Sequence, residues 1–227
     1  MIDLITIKKK KEENINMKIS YAITVCNEIV EIEKLLKFLL ENKRQEDEIV
    51  ILYDKQNGHE DIPDLVCNLY GEIENSNLQF QQGYFNDHFA DWKNTLTRYC
   101  SGDYIFQIDA DEIPHKNLID NLPAILEYNN DLDVMLVPRV NTVEGLTSDH
   151  IVKWKWSVNK DGWVNWPDYQ WRVWRNKPEI KWVNKVHEKL DGFKTYSGLP
   201  TEEEYALYHP KTIERQEKQN NYYENIK

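Results

Sequence analysis

Three carboxylates within four residues, Asp109, Asp111 and Glu112, are the part of this chain best equipped for chemistry. They close the stretch YIFQIDADEIP (residues 104–114). Five mostly apolar, strand-forming residues switch to acid within one position, and Pro114 then forbids easy continuation of a ladder. Three anions at the end of a buried strand need compensation. A divalent cation, Mg²⁺ or Mn²⁺, suits carboxylate oxygen and leaves positions open for phosphate. The alternative is an acidic turn that water solvates. A second concentration of chemistry lies at residues 150–189, with nine Lys or Arg against four Asp or Glu and seven of the eight Trp. Positive charge and flat rings gathered there in an acidic chain suit a phosphate-bearing, ring-shaped ligand.

The elements that must position these groups follow a β-α-β-α-β order. Strands are expected at 19–25, 49–53 and 78–82, with helices at 29–40 and 62–70 between them. Asn27 is placed to cap the first helix. A helix at 89–100 leads into the strand at 104–108, with Ser101-Gly102 as its end signal. A helix at 118–126 and a strand at 134–140 come next, Pro138 marking an edge or bulge. Strand-like alternation at 169–175, a short helix at 201–207 and a polar helix at 211–227 complete the chain. This pattern predicts an α/β protein with a mostly parallel sheet flanked by helices and a Trp-rich antiparallel C-terminal portion. Carboxylates at the C-terminal end of a strand in such a sheet lie where ligands bind.

Residues 1–16 read as a polar tail and 17–227 as one domain, since neither repeat nor low-complexity linker divides them. Net charge of −11 argues against a general nucleic-acid binder. No apolar run has the length of a membrane span, and Lys8 to Lys11 precede no apolar signal core. Those lysines suit at most a peripheral touch on anionic lipid. Cys26, Cys67 and Cys100 are odd in number and widely spaced, which fits a reducing cytoplasm.

The order of motifs resembles glycosyltransferase family 2 of the GT-A fold, and within it the small soluble members related to lipopolysaccharide-core β-glucosyltransferases. The motifs are ITVCNE (23–28) after the first strand, Asp54 after the second, Phe89-x-x-x-Lys93-Asn94 before a helix, and SGDYIFQIDADE (101–112). RVWRN (172–176) and Val186-His187-Glu188 follow. The likeness spans about residues 18–210. It implies a metal-dependent transfer of a hexose from a nucleotide sugar, a UDP-sugar by family habit, to a hydroxyl of a saccharide or glycolipid, inverting and non-processive. Thr24, Cys26, Asn27, Glu28 and Asp54 would hold the nucleoside, with Asp103, Lys93 and Asn94 lining the same cleft. Asp109 and Ala110 would face the donor, and Asp111 with His187 would hold the metal and diphosphate. Arg172 would add a phosphate contact. Glu188 is the candidate general base and Asp168 its rival.

Some positions depart from the family pattern. A single Asp54 ends the second strand, Lys93 stands for the usual Arg and lacks its bidentate fork, and Gln170-Trp171-Arg172-Val173-Trp174 is not the motif of processive synthases. A sugar nucleotidyltransferase would need a Gly-rich basic loop that is absent here. The remaining alternative is a catalytically inactive saccharide- or nucleotide-sugar-binding protein on the same fold. For His187 the competing reading is a hydrogen-bonded structural histidine. His209, ahead of Pro210, reads either as a phosphate or metal contact or as a surface histidine.

Overall fold

A computed structural model describes residues 15–72 and 77–226, so the expected tail lies almost wholly outside the described residues. The first half of the chain follows its apolar runs. Strand β1 (Ile19–Val25), helix α1 (Ile29–Asn42), β2 (Glu48–Asp54), α2 (Ile62–Glu72), β3 (Leu78–Gly83), α3 (Phe89–Thr97) and β4 (Tyr104–Asp109) alternate as expected. The first, second and fourth strands are almost fully buried, which their near-continuous apolar runs require of a parallel sheet covered on both faces. In α1, Ile32, Leu35, Leu36 and Leu39 form the buried stripe.

The second half is β5 (Ile113–Pro114), α4 (Lys116–Tyr128), β6 (Val134–Val137), β7 (Arg139–Glu144), α5 (Ser148–Trp154), β8 (Gln170–Arg175), β9 (Lys181–Val183), β10 (Lys189–Asp191), β11 (Tyr196–Gly198), β12 (Leu207–Thr212) and α6 (Ile213–Ile226). The main sheet runs β11-β6-β8-β4-β1-β2-β3. Strands β4, β1, β2 and β3 are mutually parallel, and β8 is antiparallel to both β4 and β6. A second sheet, β5-β12-β7, pairs β12 parallel to β7 and antiparallel to β5. A two-stranded hairpin, β9-β10, packs its Trp182 backbone on Asn94 of α3.

Several local expectations change. Pro138 does not sit on an edge. It divides one apolar run into β6, inside the main sheet, and β7, in the second sheet. The expected helix at 201–207 is a single 3₁₀ turn at Glu203–Tyr205, and the chain then enters β12. Pro210 is tolerated there because β5 pairs only with Leu207 and Tyr208, leaving β7 as the partner beyond. Glu28, not Asn27, is the N-cap position of α1, and its carboxylate accepts from the Cys26 and Asn27 backbone N–H groups at 3.0 and 3.1 Å. Gly102 is needed for close approach, because a Cβ there would stand 2.7 Å from the Ser20 backbone nitrogen. His88 and His115, given no role by the sequence, accept backbone N–H bonds at the starts of α3 and α4. Of the seven clustered tryptophans only Trp174 and Trp182 are buried. No helix among the described residues is long and apolar enough to cross a membrane.

Candidate active site

The parallel strands β1, β2 and β4 end at one edge of the sheet, so the loops after Val25, Asp54 and Asp109 share a rim. Thr24 lies beside Asp109 in the register of β1 and β4. Asp103 does not join them. It stands at the opposite end of β4, where its carboxylate holds the Lys18 backbone N–H at 2.8 Å.

The acidic turn is compensated mainly by the protein's own cations. Arg172, 3% exposed, bonds Asp109 through Nη2 and reaches Glu112 Oε1 at 2.6 Å. Arg139 Nη1 adds a bond to Glu112 at 3.0 Å. Lys93 Nζ sits 3.6 Å from Asp109 and 2.5 Å from Glu188 Oε1, above the Trp182 ring. Burial alone would raise the Asp109 pKa. The charges of Arg172, Lys93 and Arg139 outweigh it and hold the carboxyl well below the usual range. Arg172 is thus turned onto two carboxylates, the buried Glu112 and Asp109, whose side chain is 32% exposed.

Asp111 faces a different partner. Its Oδ2 lies 3.2 Å from His209 Nε2, whereas His187 sits in the β9–β10 turn with φ +53°. His209 is buried on β12, directly opposite Asn141 of β7, whose Oδ1 is 2.8 Å from His209 Nδ1. Asn141 donates its Nδ2 to Asp168 Oδ2 at 2.8 Å, so its oxygen must be the atom turned to the histidine. His209 Nδ1 therefore carries a proton. Burial, opposed in part by Asp111, lowers the His209 pKa and favours the neutral ring. A neutral ring then turns the Nε2 lone pair on a carboxylate oxygen. The Arg215 guanidinium, its Nη2 3.3 Å from Asp111 Oδ2, supplies positive charge at the same oxygen.

That donor set, one carboxylate and one imidazole with Nδ1–H held by an amide, fits Mn²⁺ or Mg²⁺ with further positions taken by phosphate and water. Among the described residues no group of three His, Cys, Asp or Glu side chains converges as a closed metal cage.

The remaining candidates divide. Asp168 is bound by Arg139 Nε and Nη2 at 3.0 and 2.7 Å as well as by Asn141. Burial opposes ionisation there, but Arg139 and the Asn141 bond hold the pKa low. Asp54 is 2% exposed and committed to the Gln56 N–H at 3.1 Å and the Asn57 side chain at 2.8 Å. Cys26 lies 4.0 Å from it, its thiol pushed up to about 11 by burial, Glu28 and Asp54. Asn94 spends both ends of its amide on the Trp182 backbone. Ala110 belongs to the core, 3% exposed, and Asn27 is exposed at the rim.

Arg139, Asn141 and Lys211 were not singled out by sequence reasoning. Their signal is period two: Arg139-x-Asn141 and His209-x-Lys211 put polar pairs on one face of two strands. The cluster also fixes an acid limit. Asp109 and Asp111 both titrate below their ordinary range when folded. The stability they contribute is complete above the unfolded carboxylate pKa, near 4, and is lost as pH falls through the folded values. Urea unfolding at pH 7, 5, 4 and 3 is expected to show little change to pH 5 and a steepening loss below 4.

A mostly parallel central sheet flanked by helices, with its loops gathered at one rim, is the architecture of a GT-A α/β protein. The glycosyl transferase family 2 model matches residues 20–197, and the chain belongs to that family. Among solved structures it is similar to S. aureus TarS residues 1–349 in complex with UDP-GlcNAc, at TM-score 0.61 and 15% identity, covering 86% of this chain and 58% of that one. The same TarS segment in complex with UDP gives TM-score 0.60 at 14% identity, covering 86% and 60%. At these identities the likeness shows the fold. The chain spans about three-fifths of the TarS segment it matches. A search of curated protein sequences found no match.

Proposed function

We propose that the chain transfers a hexose from a nucleotide sugar, a UDP-sugar, to a hydroxyl of a saccharide or glycoconjugate, by a single inverting displacement and without processive elongation. The observation that carries this reading is the Asp111–His209 pair, a carboxylate and an imidazole 3.2 Å apart just after β4 in a family 2 chain. The UDP and UDP-GlcNAc complexes of TarS support a uridine nucleotide as the first donor to try.

In this reading Asp111 and His209 hold Mn²⁺ or Mg²⁺, which when bound offsets the charge that develops on the leaving diphosphate. His187 is replaced in that role by His209. Asn141 fixes the tautomer of His209 and is itself fixed by Asp168, so Asp168 is a positioning residue rather than the base. Its two arginine bonds keep it ionised and a poor proton acceptor. Glu188 is the base. Lys93 holds its Oε1, and Oε2 takes the acceptor proton as the hydroxyl attacks. Lys93 links that base to Asp109, so the acceptor and donor halves of the site share one ammonium. Thr24, Asn27 and Glu28 line the nucleoside side of the rim.

Asn141→Ala frees the His209 ring, and Mn²⁺-dependent UDP binding is expected to weaken about 10- to 100-fold by calorimetry. Glu188→Gln is expected to keep UDP affinity within about twofold while transfer falls about 10²- to 10⁴-fold. The test of function is release of UDP from a panel of UDP-sugars with Mn²⁺, with and without saccharide acceptors. Turnover that requires Mn²⁺ and is lost in Glu188→Gln is the expected result. Tight binding of the sugar nucleotide with no turnover on any acceptor, or by water, would make the chain a binding protein.

A further inference from the structure

Helix α6 packs on β12 and β7, and its side chains reach the loops that follow β1, β3 and β4. Arg215, in its first turn, approaches three carboxylates from three parts of the fold. Nη1 is 2.7 Å from Glu31 Oε1 on α1, while Nη2 is 3.3 Å from Asp111 Oδ2 and 3.7 Å from Glu28 Oε1. Lys211 sits two residues after His209 on the same face of β12, and its Nζ bonds Gln219 Oε1 at 2.6 Å, tying the helix back to that strand. Farther along, Tyr222 Oη lies 3.2 Å from Asp87 Oδ1, in the loop after β3. A cavity of about 370 Å³ lies between the helix and the β1–α1 loop, lined by Asn27, Glu28, Glu31, Glu214, Arg215 and Lys218.

The guanidinium therefore occupies the same carboxylate oxygen, Asp111 Oδ2, that faces His209 Nε2. A divalent cation and a guanidinium cannot both claim one oxygen unless another anion joins them. A diphosphate is such an anion, and its oxygens match the fork of an arginine. The Arg215 side chain is 31% exposed, so it can turn without opening the core.

We propose that Arg215 is a diphosphate clamp carried by α6. In the empty protein it bridges Glu28, Glu31 and Asp111. When a nucleoside diphosphate arrives with its divalent cation, Arg215 leaves Asp111 for the phosphate oxygens and draws α6 over the donor. The assignment rests on the nucleotide-sugar reading of the same site. It gives one residue two effects of opposite sign, against the bare cation and in favour of the diphosphate.

The experiment measures two affinities in the full chain, Mn²⁺ alone and UDP at saturating Mn²⁺, for wild type, Arg215→Ala and Arg215→Lys. With the guanidinium gone, Mn²⁺ alone is expected to bind Arg215→Ala about three- to tenfold more tightly. UDP is expected to bind it about tenfold or more weakly, and UMP, which has no second phosphate, to change less than about twofold. Arg215→Lys keeps the charge without the fork and is expected to fall between for UDP. Opposite signs separate a clamp from a merely loosened fold, in which both affinities would drop. Parallel loss of both, or UDP affinity equal to wild type, overturns the clamp. A wild type that binds no UDP with Mn²⁺ overturns the function beneath it as well, so the two failures are told apart by the wild-type measurement.

Discussion

Asp111→Asn is expected to lower sugar transfer by about 10³-fold or more and to abolish the Mn²⁺-dependent part of nucleotide binding. Asparagine fills the same space and can donate its amide N–H to His209 Nε2, so the fold survives and the loss is local. What disappears is the anionic half of the pair proposed to face the diphosphate. Removing a single well-placed electrostatic contact to a developing charge costs about 3–4 kcal/mol in water-excluded sites, which is two to three decades of rate. Here the cation would also lose its only carboxylate among the described contacts of His209, so the effect is placed at or above the upper end. Steady-state rates with a UDP-sugar, set beside calorimetry of UDP with and without Mn²⁺, check both halves.

Arg172→Met is expected to be the most destabilising single change, by about 3–5 kcal/mol in urea unfolding at pH 7. Arg172 and Glu112 are buried at 3% and 0% exposure, and Asp109 depends on the same guanidinium. Methionine approximates the stem but leaves two carboxylates competing for Arg139 and Lys93. The sign of the cause is testable. Adding Glu112→Gln to Arg172→Met removes one of the stranded charges and is expected to recover part of the loss, a coupling that two independent cavities would not show. Lowering the pH toward 4 should narrow the difference between wild type and Arg172→Met, since protonation relieves the same strain.

The parallel half of the fold could be read because each strand is a contiguous apolar run with one helix between neighbours. Ile19–Val25, Glu48–Asp54 and Tyr104–Asp109 fall within a residue of where the apolar pattern puts them. The second sheet could not be read that way. The run at 134–140 has no break in hydrophobicity, and only the structure shows Pro138 sending its two halves into different sheets. His209 suffered from the same gap. Preceded by Tyr208 and followed by Pro210, it looks like a surface position, yet β7, some seventy residues earlier in sequence, buries it and supplies Asn141. A histidine beside a glutamate drew attention to 187 instead, because adjacency in sequence is visible and parallel pairing is not.

The acidic turn shows the same division. Its clustering was plain, but three carboxylates within four residues do not announce which of them the protein neutralises. Arg172 could be seen as a cation nearby and was expected to face phosphate. That it is spent on Asp109 and Glu112, leaving Asp111 to His209 and Arg215, depends on β8 running antiparallel between β4 and β6.

Asp111 and His209 are proposed to hold the cation that meets the diphosphate. Pulsed electron paramagnetic resonance of Mn²⁺ in the UDP complex tests this most directly, because a coordinated imidazole nitrogen couples to the metal. The expected spectrum shows one such nitrogen in wild type and in His187→Gln, and none in His209→Gln. A nitrogen signal that persists in His209→Gln and vanishes in His187→Gln would contradict the account and return the site to the residue the sequence first suggested.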